Sequence, residues 1–332
     1  MVNNAIYNNP PYANGRLADI HITEDGSDYY YAYCAFSGFM AILILGLARR
    51  KRRTDRIFYY LCATINIMMC LSYYAMGSNL GMTPIDVEFH RTWPRVRGDA
   101  REIFWVRYVQ WFINTPLILS ILLLPTSLPA PKFLFTLFLN QTMIIMGLVG
   151  AVTSTKYKWG FFGFGCAALF YVLFTLLFSA RKHARRHGKE VTRIYMIGII
   201  YQFILWICYP ICWGVSDGGN VIAPDSEAVY YGILDILAVP FFSIMVLILT
   251  RKLDLAALGL RSHDYDDEIG EIVVGHEKKR GATGPMLGPI RRSSSSIARG
   301  GPEVLDHPQH THGNNTTGGL DVGNNTGNAT AV

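Results

Sequence analysis

The chain is 332 residues long, with a mean hydropathy of +0.22, 51% hydrophobic residues, 16% charged residues and a net charge of +6. A soluble domain of this size carries about 25% charged residues, so the composition excludes an ordinary soluble protein and favours a membrane protein. Nothing in the distribution of basic residues predicts a nucleic-acid partner; the predicted surroundings are membrane lipid.

Seven apolar runs of roughly 20 residues, the length that a helix needs to cross a bilayer, follow one another along the chain. The sequence therefore predicts an all-α fold, a bundle of seven transmembrane helices over residues 29–252. Residues 1–28 are polar without an apolar core, so they are interpreted as an outer segment and not as a signal peptide. The seven runs lie at about 29–48, 57–80, 103–125, 132–153, 159–180, 192–215 and 226–250.

Lys and Arg residues predict the orientation of the bundle, because they concentrate on the cytoplasmic side of membrane proteins. Basic clusters follow the first, fifth and seventh spans, which all end on the same side. This pattern places the N-terminus outside and the C-terminus in the cytoplasm. The loop between the second and third spans is also basic and falls outside, against the rule.

The composition changes from residue 253 onwards, where apolar residues become too sparse to form a core. Residues 253–332 are therefore predicted to be a cytoplasmic tail that is mostly disordered. Basic residues precede a run of four serines, which makes this run a candidate phosphorylation site, with an unmodified linker as the alternative. The serines are Ser293, Ser294, Ser295 and Ser296.

A few polar side chains stand inside the predicted spans, where ionisable groups are costly and tend to face a partner or a cavity. Arg107 in the third span and Asp235 in the seventh are most simply interpreted as a buried ion pair. Tyr73 and Tyr209 would donate hydrogen bonds to the Asp235 carboxylate. From spacing alone, a structural role and a functional role for this network remain equally open.

Several spans resemble the helices of microbial rhodopsins. The stretch RYVQWFINTPLILSILLL resembles the third helix of that family, MGLVGA the fourth, WICYPICW the sixth and LDILAVPFF the seventh. The loop WGVSDGGNVIAPDSEAVYYGILD is similar to fungal opsins. The resemblance extends in order over residues 29–252 and does not include the tail.

The resemblance implies which residues would surround a retinal pocket. Arg107, Tyr73, Tyr209 and Asp235 match its counterion network, while Asp217 and Glu227 match the outer acids of the proton-release group. The positions that match the lining of the pocket are Trp111, Asn114, Met143, Gly147, Phe162, Trp206 and Trp213.

The positions that perform photochemistry do not match. The lysine that carries retinal aligns with Val239, the primary counterion with Gln110 and the cytoplasmic proton donor with Ile121. A Schiff base needs an amine, and every lysine of the chain lies in a loop, at a span end or in the tail. The resemblance therefore implies no covalent retinal and no ordinary light-driven pumping. Arg107 and Asp235 would remain as one cation and one anion.

This combination resembles the opsin-related proteins of fungi, whose relatives include the thirty-kilodalton heat-shock membrane proteins of yeasts. The resemblance implies a plasma-membrane protein of the stress response that acts through partners such as the proton ATPase. Two alternatives stay open: a transporter or leak pathway for protons or another ion, and a receptor for non-covalently bound retinal or another apolar ligand. An enzyme is not predicted, because the sequence has no phosphate-binding loop and no histidine cluster with metal-ligand spacing, so neither a catalytic nor a metal site is expected.

Overall fold

The computed structural model describes residues 3–261, so the predicted phosphorylation site at Ser293 to Ser296 lies outside the described residues. The described part contains seven helices that are long and apolar enough to cross a membrane, which confirms the predicted all-α bundle. We number these helices α1 to α7 in chain order. They are α1 Glu24–Ala48, α2 Ile57–Gly77, α3 Trp105–Thr126, α4 Ala130–Ala151, α5 Lys158–His187, α6 Lys189–Gly218 and α7 Pro224–Lys252.

Helix α1 begins at Glu24, earlier than the predicted start at residue 29. The preceding Thr23 is extended, and its N–H and hydroxyl bind Asp225 at the start of α7, at 2.8 and 3.0 Å. Glu24 and Asp25 occupy the first turn, where negative charge favours a helix N-terminus. Part of the segment predicted to precede the membrane thus belongs to the first helix.

Helix α5 also extends further than its apolar run, to His187 instead of residue 180. The basic stretch Arg181–Ala184 continues the helix, since alanine, arginine and lysine are good helix formers whatever their polarity. The helix ends before Gly188, whose φ of 101° is accessible to glycine at little cost.

Short strands cover one end of the bundle, the end that the charge pattern predicts to be outside and that we call the outer end. Strands β1 (Tyr12–Ala13) and β2 (Arg16–Leu17) form a hairpin, and strands β3 (Thr83–Asp86) and β4 (Ala100–Ile103) form a second one between α2 and α3. Ile20 extends the second hairpin: its N–H donates to the Ala100 carbonyl at 3.0 Å, and its carbonyl accepts from the Glu102 N–H at 2.8 Å. The N-terminal segment is thereby tied to the loop that precedes α3.

The basic loop between α2 and α3, the exception to the charge rule, uses two of its arginines in contacts. Arg91 donates to the Gly219 carbonyl at 2.9 Å, and Arg101 is 1% exposed and bonded to groups on α7 and the preceding loop. These two cations join the loop to the ends of α6 and α7, although Arg91 itself is exposed.

Helix α7 is interrupted by a π-helical turn at Leu237–Phe241, which contains Pro240 and carries Val239. Proline has no N–H to donate, and side chains bind the carbonyls of this turn. Tyr201 donates to the Leu237 carbonyl at 2.9 Å, and Ser243 donates to the Val239 carbonyl at 2.7 Å. The position that the resemblance matches to the retinal lysine therefore lies on a widened turn with fixed geometry.

Gly232 allows α7 to lie against α1, because a Cβ at this position would overlap the ring of Tyr33. We predict that Gly232→Ala lowers the free energy of unfolding by about 1–3 kcal/mol through overpacking. Gly163→Ala is the matched control, since a Cβ there meets no atom within 4 Å. Alanine at Gly163 should leave stability unchanged or raise it by up to about 1 kcal/mol. Thermal melts in nanodiscs measure both, and equal loss in the two variants would contradict the close contact.

Candidate functional site

Asp235, which is 1% exposed, accepts four hydrogen bonds in the centre of the bundle. Its Oδ1 accepts from the Tyr209 hydroxyl at 2.6 Å and from Trp111 Nε1 at 3.1 Å. Its Oδ2 accepts from the Tyr73 hydroxyl at 2.8 Å and from Gln110 Nε2 at 2.9 Å. Helices α2, α3 and α6 therefore all converge on one carboxyl group of α7.

All four donors to Asp235 are neutral groups. A carboxylate offers about four lone-pair positions to hydrogen-bond donors, and four donors occupy these. The two tyrosine bonds are those expected from the sequence. The amide of Gln110 adds a third donor, because an amide, unlike a carboxylate at this position, can donate. No cation bonds to Asp235 among the described residues.

The prediction of an ion pair between Arg107 and Asp235 is wrong, because Arg107 binds other partners. Arg107 Nη1 binds Glu227 Oε1, Nη2 donates to the Tyr30 hydroxyl at 2.8 Å, and the guanidinium lies 4.4 Å from the centroid of the Tyr231 ring. Glu227 precedes Asp235 by eight residues, which is about 12 Å along a helix. The two acids share a helix face but lie at different depths, and Arg107 is level with the outer one.

Glu227 binds a second arginine that the sequence analysis missed. Arg101 Nη2 lies 2.6 Å from Glu227 Oε2, and Arg101 Nη1 donates to Asn220 Oδ1 at 2.8 Å and to the Ile222 carbonyl at 2.9 Å. We call Arg101, Arg107 and Glu227 the outer ion cluster. Arg101 lies in β4, before the predicted third span, and its spacing carries no helical signal that would place it against α7.

Asp217, the other predicted outer acid, does not bond to the outer ion cluster. Its Oδ2 accepts a hydrogen bond from the Tyr108 hydroxyl at 2.6 Å, while its Oδ1 has no partner among the described residues. Asp217 and Glu227 thus lie at the same end of the bundle, each with its own donors. The sequence did not single out Tyr108, which lies on α3 one residue after Arg107.

A cavity of about 100 Å³ lies between α3, α4, α5, α6 and α7. All seven residues that the resemblance matches to a retinal pocket line this cavity, and so do Gln110, Tyr209, Asp235 and Val239. Tyr73 and Arg107 do not line it. The seven residues are Trp111, Asn114, Met143, Gly147, Phe162, Trp206 and Trp213.

Aromatic side chains hold the walls of the cavity. Trp111 packs edge-on against Tyr108, Tyr209 and Tyr231, with ring centroids 5.1 to 5.3 Å apart. Phe162 stacks on Trp213 at 4.8 Å. Such ring pairs add about 0.5–1.5 kcal/mol each beyond the area that they bury, so these walls are stabilised without a ligand.

No lysine of the described chain lines this cavity. Val239, which is 3% exposed, occupies the turn of α7 that the resemblance matches to the retinal lysine. Lys158 is the one buried lysine among residues 3–261, and it lies at the outer start of α5, lining a much smaller cavity together with Asp217. An imine to retinal requires an amine next to the aldehyde carbon, and this cavity supplies none.

Two buried acceptor atoms in the cavity have no partner among the described residues: Gln110 Oε1 and Asn114 Oδ1. Gln110 uses its amide nitrogen on Asp235, and Asn114 uses its own on the Ile65 carbonyl at 2.9 Å. An unpaired buried carbonyl costs about 1–3 kcal/mol, so both oxygens favour an occupant that donates hydrogen bonds. The remaining lining is almost entirely apolar.

Glu102 lies in β4, outside the membrane-spanning helices, and is 1% exposed. Its Oε2 accepts from the Ile22 N–H at 3.1 Å, and its Oε1 has no partner among residues 3–261. Burial raises the pKa of Glu102 to about 8, and the Ile22 N–H and the charge of Arg101 offset this only in part. Glu102 is thus the third buried polar residue at this end of the bundle, after Arg101 and Tyr108, that the sequence did not single out.

Comparisons with known proteins place these features in a family. The model of the family described as "Bacteriorhodopsin-like protein" matches residues 26–253. The chain is 49% identical to the opsin-like protein carO of Fusarium fujikuroi over 267 residues, 80% of this chain and 87% of that protein. It is 27% identical to the 30 kDa heat shock protein of Saccharomyces cerevisiae over 270 residues, covering 75% of this chain and 79% of that protein.

Solved structures resemble the bundle as well. The light-driven proton pump CsR, a rhodopsin of Coccomyxa subellipsoidea, superimposes with a TM-score of 0.65 at 31% identity, over 69% of this chain and 98% of that one. The similarity therefore includes the whole helical core of that protein.

A double-mutant cycle tests the assignment of Arg107 to Glu227. We predict a coupling free energy of about 1–3 kcal/mol between Arg107→Gln and Glu227→Gln, because Glu227→Gln leaves the buried Arg107 without its counterion and Arg107→Gln leaves Glu227 with Arg101 alone. The matched cycle between Arg107→Gln and Asp235→Asn should couple by less than about 0.5 kcal/mol. Unfolding in mixed micelles supplies the free energies. A larger coupling for the second pair would restore the ion pair expected from the sequence.

Glu102→Gln should change how stability depends on pH. Since the folded-state pKa of about 8 exceeds the ordinary value of 4.5, the unfolded chain loses this proton first as the pH rises. The wild type therefore loses stability between pH 4.5 and 8, by at most about 1.4 kcal/mol per pH unit. Gln removes that slope and keeps an acceptor for Ile22. Glu24→Gln, at an exposed carboxyl in the first turn of α1, is the control. Identical pH profiles for the wild type and Glu102→Gln would contradict the assignment.

Proposed function

This chain belongs to the bacteriorhodopsin-like family, and we propose that it is an opsin-like membrane protein that works without covalently bound retinal and without photochemistry. One observation carries the proposal: Asp235 is bonded by four neutral donors next to a cavity that has no lysine. A light-driven proton pump requires a protonated Schiff base that hands its proton to a nearby acid. Here both the amine and the acid at the Gln110 position are replaced.

The hydrogen-bond donors around Asp235 support the same proposal. In the absence of a Schiff base, a buried carboxylate needs other donors, since an unsatisfied buried charge is costly. Gln110 provides one, and it does so because it is an amide. The substitution at Gln110 and the substitution at Val239 therefore compensate each other, as a protein adapted to function without the chromophore requires.

We further propose that the protein acts at the plasma membrane, in a stress response, through partner proteins such as the proton ATPase. The similarity to the 30 kDa heat shock protein of Saccharomyces cerevisiae supports the stress-response part. The proposal of the proton ATPase and of the plasma membrane rests on the resemblance to the yeast heat-shock membrane proteins alone.

Retinal titration tests the proposal. We predict that the wild-type chain with all-trans retinal shows only the absorbance of free retinal, and that Val239→Lys gains a red-shifted band. Val239→Met is the control, because it fills similar space without an amine and should gain no band. Val239→Lys combined with Gln110→Asp restores a second acid beside the imine and should shift the band's pH dependence. A bleachable, red-shifted band in the wild type would contradict the proposal.

A second function, reception of a non-covalent apolar ligand, is favoured by the unpaired oxygens of Gln110 and Asn114. The cavity combines an apolar, aromatic lining with two acceptors, which suits an apolar molecule that carries a hydroxyl or an N–H group. Val239 is shorter than lysine and leaves space at this point of the wall.

Paired ligands that differ only in their head group test this second function. We predict that all-trans retinol binds about three- to tenfold more tightly than all-trans retinal, which corresponds to one net hydrogen bond of about 1 kcal/mol. Fluorescence titration in nanodiscs gives both affinities, and Asn114→Leu should reduce the preference. Equal affinities for alcohol and aldehyde would contradict the donor requirement, and failure of both to bind would contradict reception of a retinoid.

Ion or proton transport receives less support from the bundle. The described residues place no carboxyl group between Asp235 and the ends of the helices that carry the basic loops, and Ile118, Leu119 and Ile121 are buried on α3 in this half. A proton relay needs titratable groups or water along its path. The absence of proton flux in proteoliposomes, in light and in darkness, is the result that we expect.

A further inference from the structure

A second cavity, of about 240 Å³, lies at the end of the bundle that carries the basic loops. It is formed by the connection between α1 and α2, the last turn of α7 and the segment that follows α7. The cavity lies at the depth at which the apolar runs of α1 and α7 end. In a bilayer this level is that of the lipid head groups.

Positive charge dominates the lining of this cavity. Lys51, Arg52, Arg251 and Arg261 line it together with two acids, Asp55 and Asp254. Both acids are already engaged. Asp55 Oδ1 lies 3.8 Å from Arg261 Nε, and Asp254 Oδ1 accepts from two backbone N–H groups, those of Ala256 and Ala257, at 3.0 and 3.3 Å.

Three of the four cations have no counterion among residues 3–261. Within the described part of the chain, Lys51, Arg52 and Arg251 form no ion pair and no side-chain hydrogen bond. Cations that face one cavity repel each other, and a multivalent anion between them removes this repulsion while it forms charge-assisted hydrogen bonds. The cavity is therefore complementary in charge to an anion with several acceptor oxygens.

The other wall of the cavity is apolar. Phe58, Tyr59 and Leu247 are buried in the bundle and line the cavity from the membrane side, and Leu255 contributes from the segment after α7. A free phosphate would contact only the basic side. A phospholipid presents both a phosphorylated head group and apolar glycerol and acyl portions, which correspond to the two walls.

We propose that this cavity binds the phosphorylated head group of an anionic phospholipid of the phosphoinositide class. Lys51, Arg52 and Arg251 contact the phosphates, and the side of Phe58 and Leu247 contacts the apolar part of the lipid. Basic pockets at the cytoplasmic ends of transmembrane helices suit such head groups. The site is separate from the cavity beside Asp235 and does not depend on the function proposed for that cavity.

The test uses the full-length chain in phosphatidylcholine nanodiscs with and without 5 mol% phosphatidylinositol 4-phosphate, with bound lipid counted by native mass spectrometry. We expect one retained phosphoinositide per chain, and at least a tenfold loss of affinity in Arg52→Gln/Arg251→Gln. Arg185→Gln/Arg186→Gln is the matched control, because it removes the same charge from exposed residues that do not line the cavity. Equal losses of affinity in the two variants would mean that any basic surface attracts the lipid, and would overturn the proposal.

Two further arms identify the source of the anion. Soluble inositol 1,4-bisphosphate should bind at least tenfold more weakly than the lipid, since it lacks the apolar portion. Equal binding would mean that the site takes a free phosphate compound and not a lipid. If the wild type retains no lipid but gains it when Asp264, Asp266, Asp267 and Glu268 are changed to their amides, the acidic segment of the chain itself is the occupant, and the lipid proposal fails.

Discussion

A carboxylate buried in a membrane protein must be satisfied by donors, and this constraint at Asp235 organises the centre of the bundle. Three helices bring Tyr73, Gln110, Trp111 and Tyr209 to its two oxygens. Because all four groups are neutral, no cation is required beside the cavity. These contacts therefore explain how the bundle accommodates Val239 at the position matched to the lysine. They also explain why Gln110, which donates to Asp235, is suited to the position matched to an acid.

The outer end of the bundle meets a similar constraint with charges. Glu227 lies between Arg101 and Arg107, so that a loop strand, α3 and α7 are joined at one carboxylate. The charge balance expected from the sequence, one arginine against Asp235, is replaced by two arginines on Glu227 and a separate, hydrogen-bonded Asp235. Removal of Glu227 alone would leave two buried cations, whereas the contacts of Asp235 involve no charge other than its own.

Much of the bundle could be predicted from the sequence, because apolar runs of membrane length and motif order carry strong signals. The seven helices, the cavity residues and the two tyrosines on Asp235 belong to this part. The partner of Arg107 could not be predicted, since helical spacing gives the face of a residue but not its depth relative to another helix. Arg101 and Glu102 lie in a strand formed with Ile20, a contact between distant parts of the chain that no local pattern indicates.

The most direct test of the central claim, that the chain holds no retinal covalently, is trapping of any imine. Purified protein is incubated with all-trans retinal, reduced with borohydride and digested, and the peptides of residues 24–252 are measured by mass spectrometry beside those of Val239→Lys. We expect no retinyl group on the wild-type peptides and one retinyl group on position 239 of the variant. A retinyl adduct within residues 24–252 of the wild type, formed in proportion to a visible absorbance band, would contradict the claim.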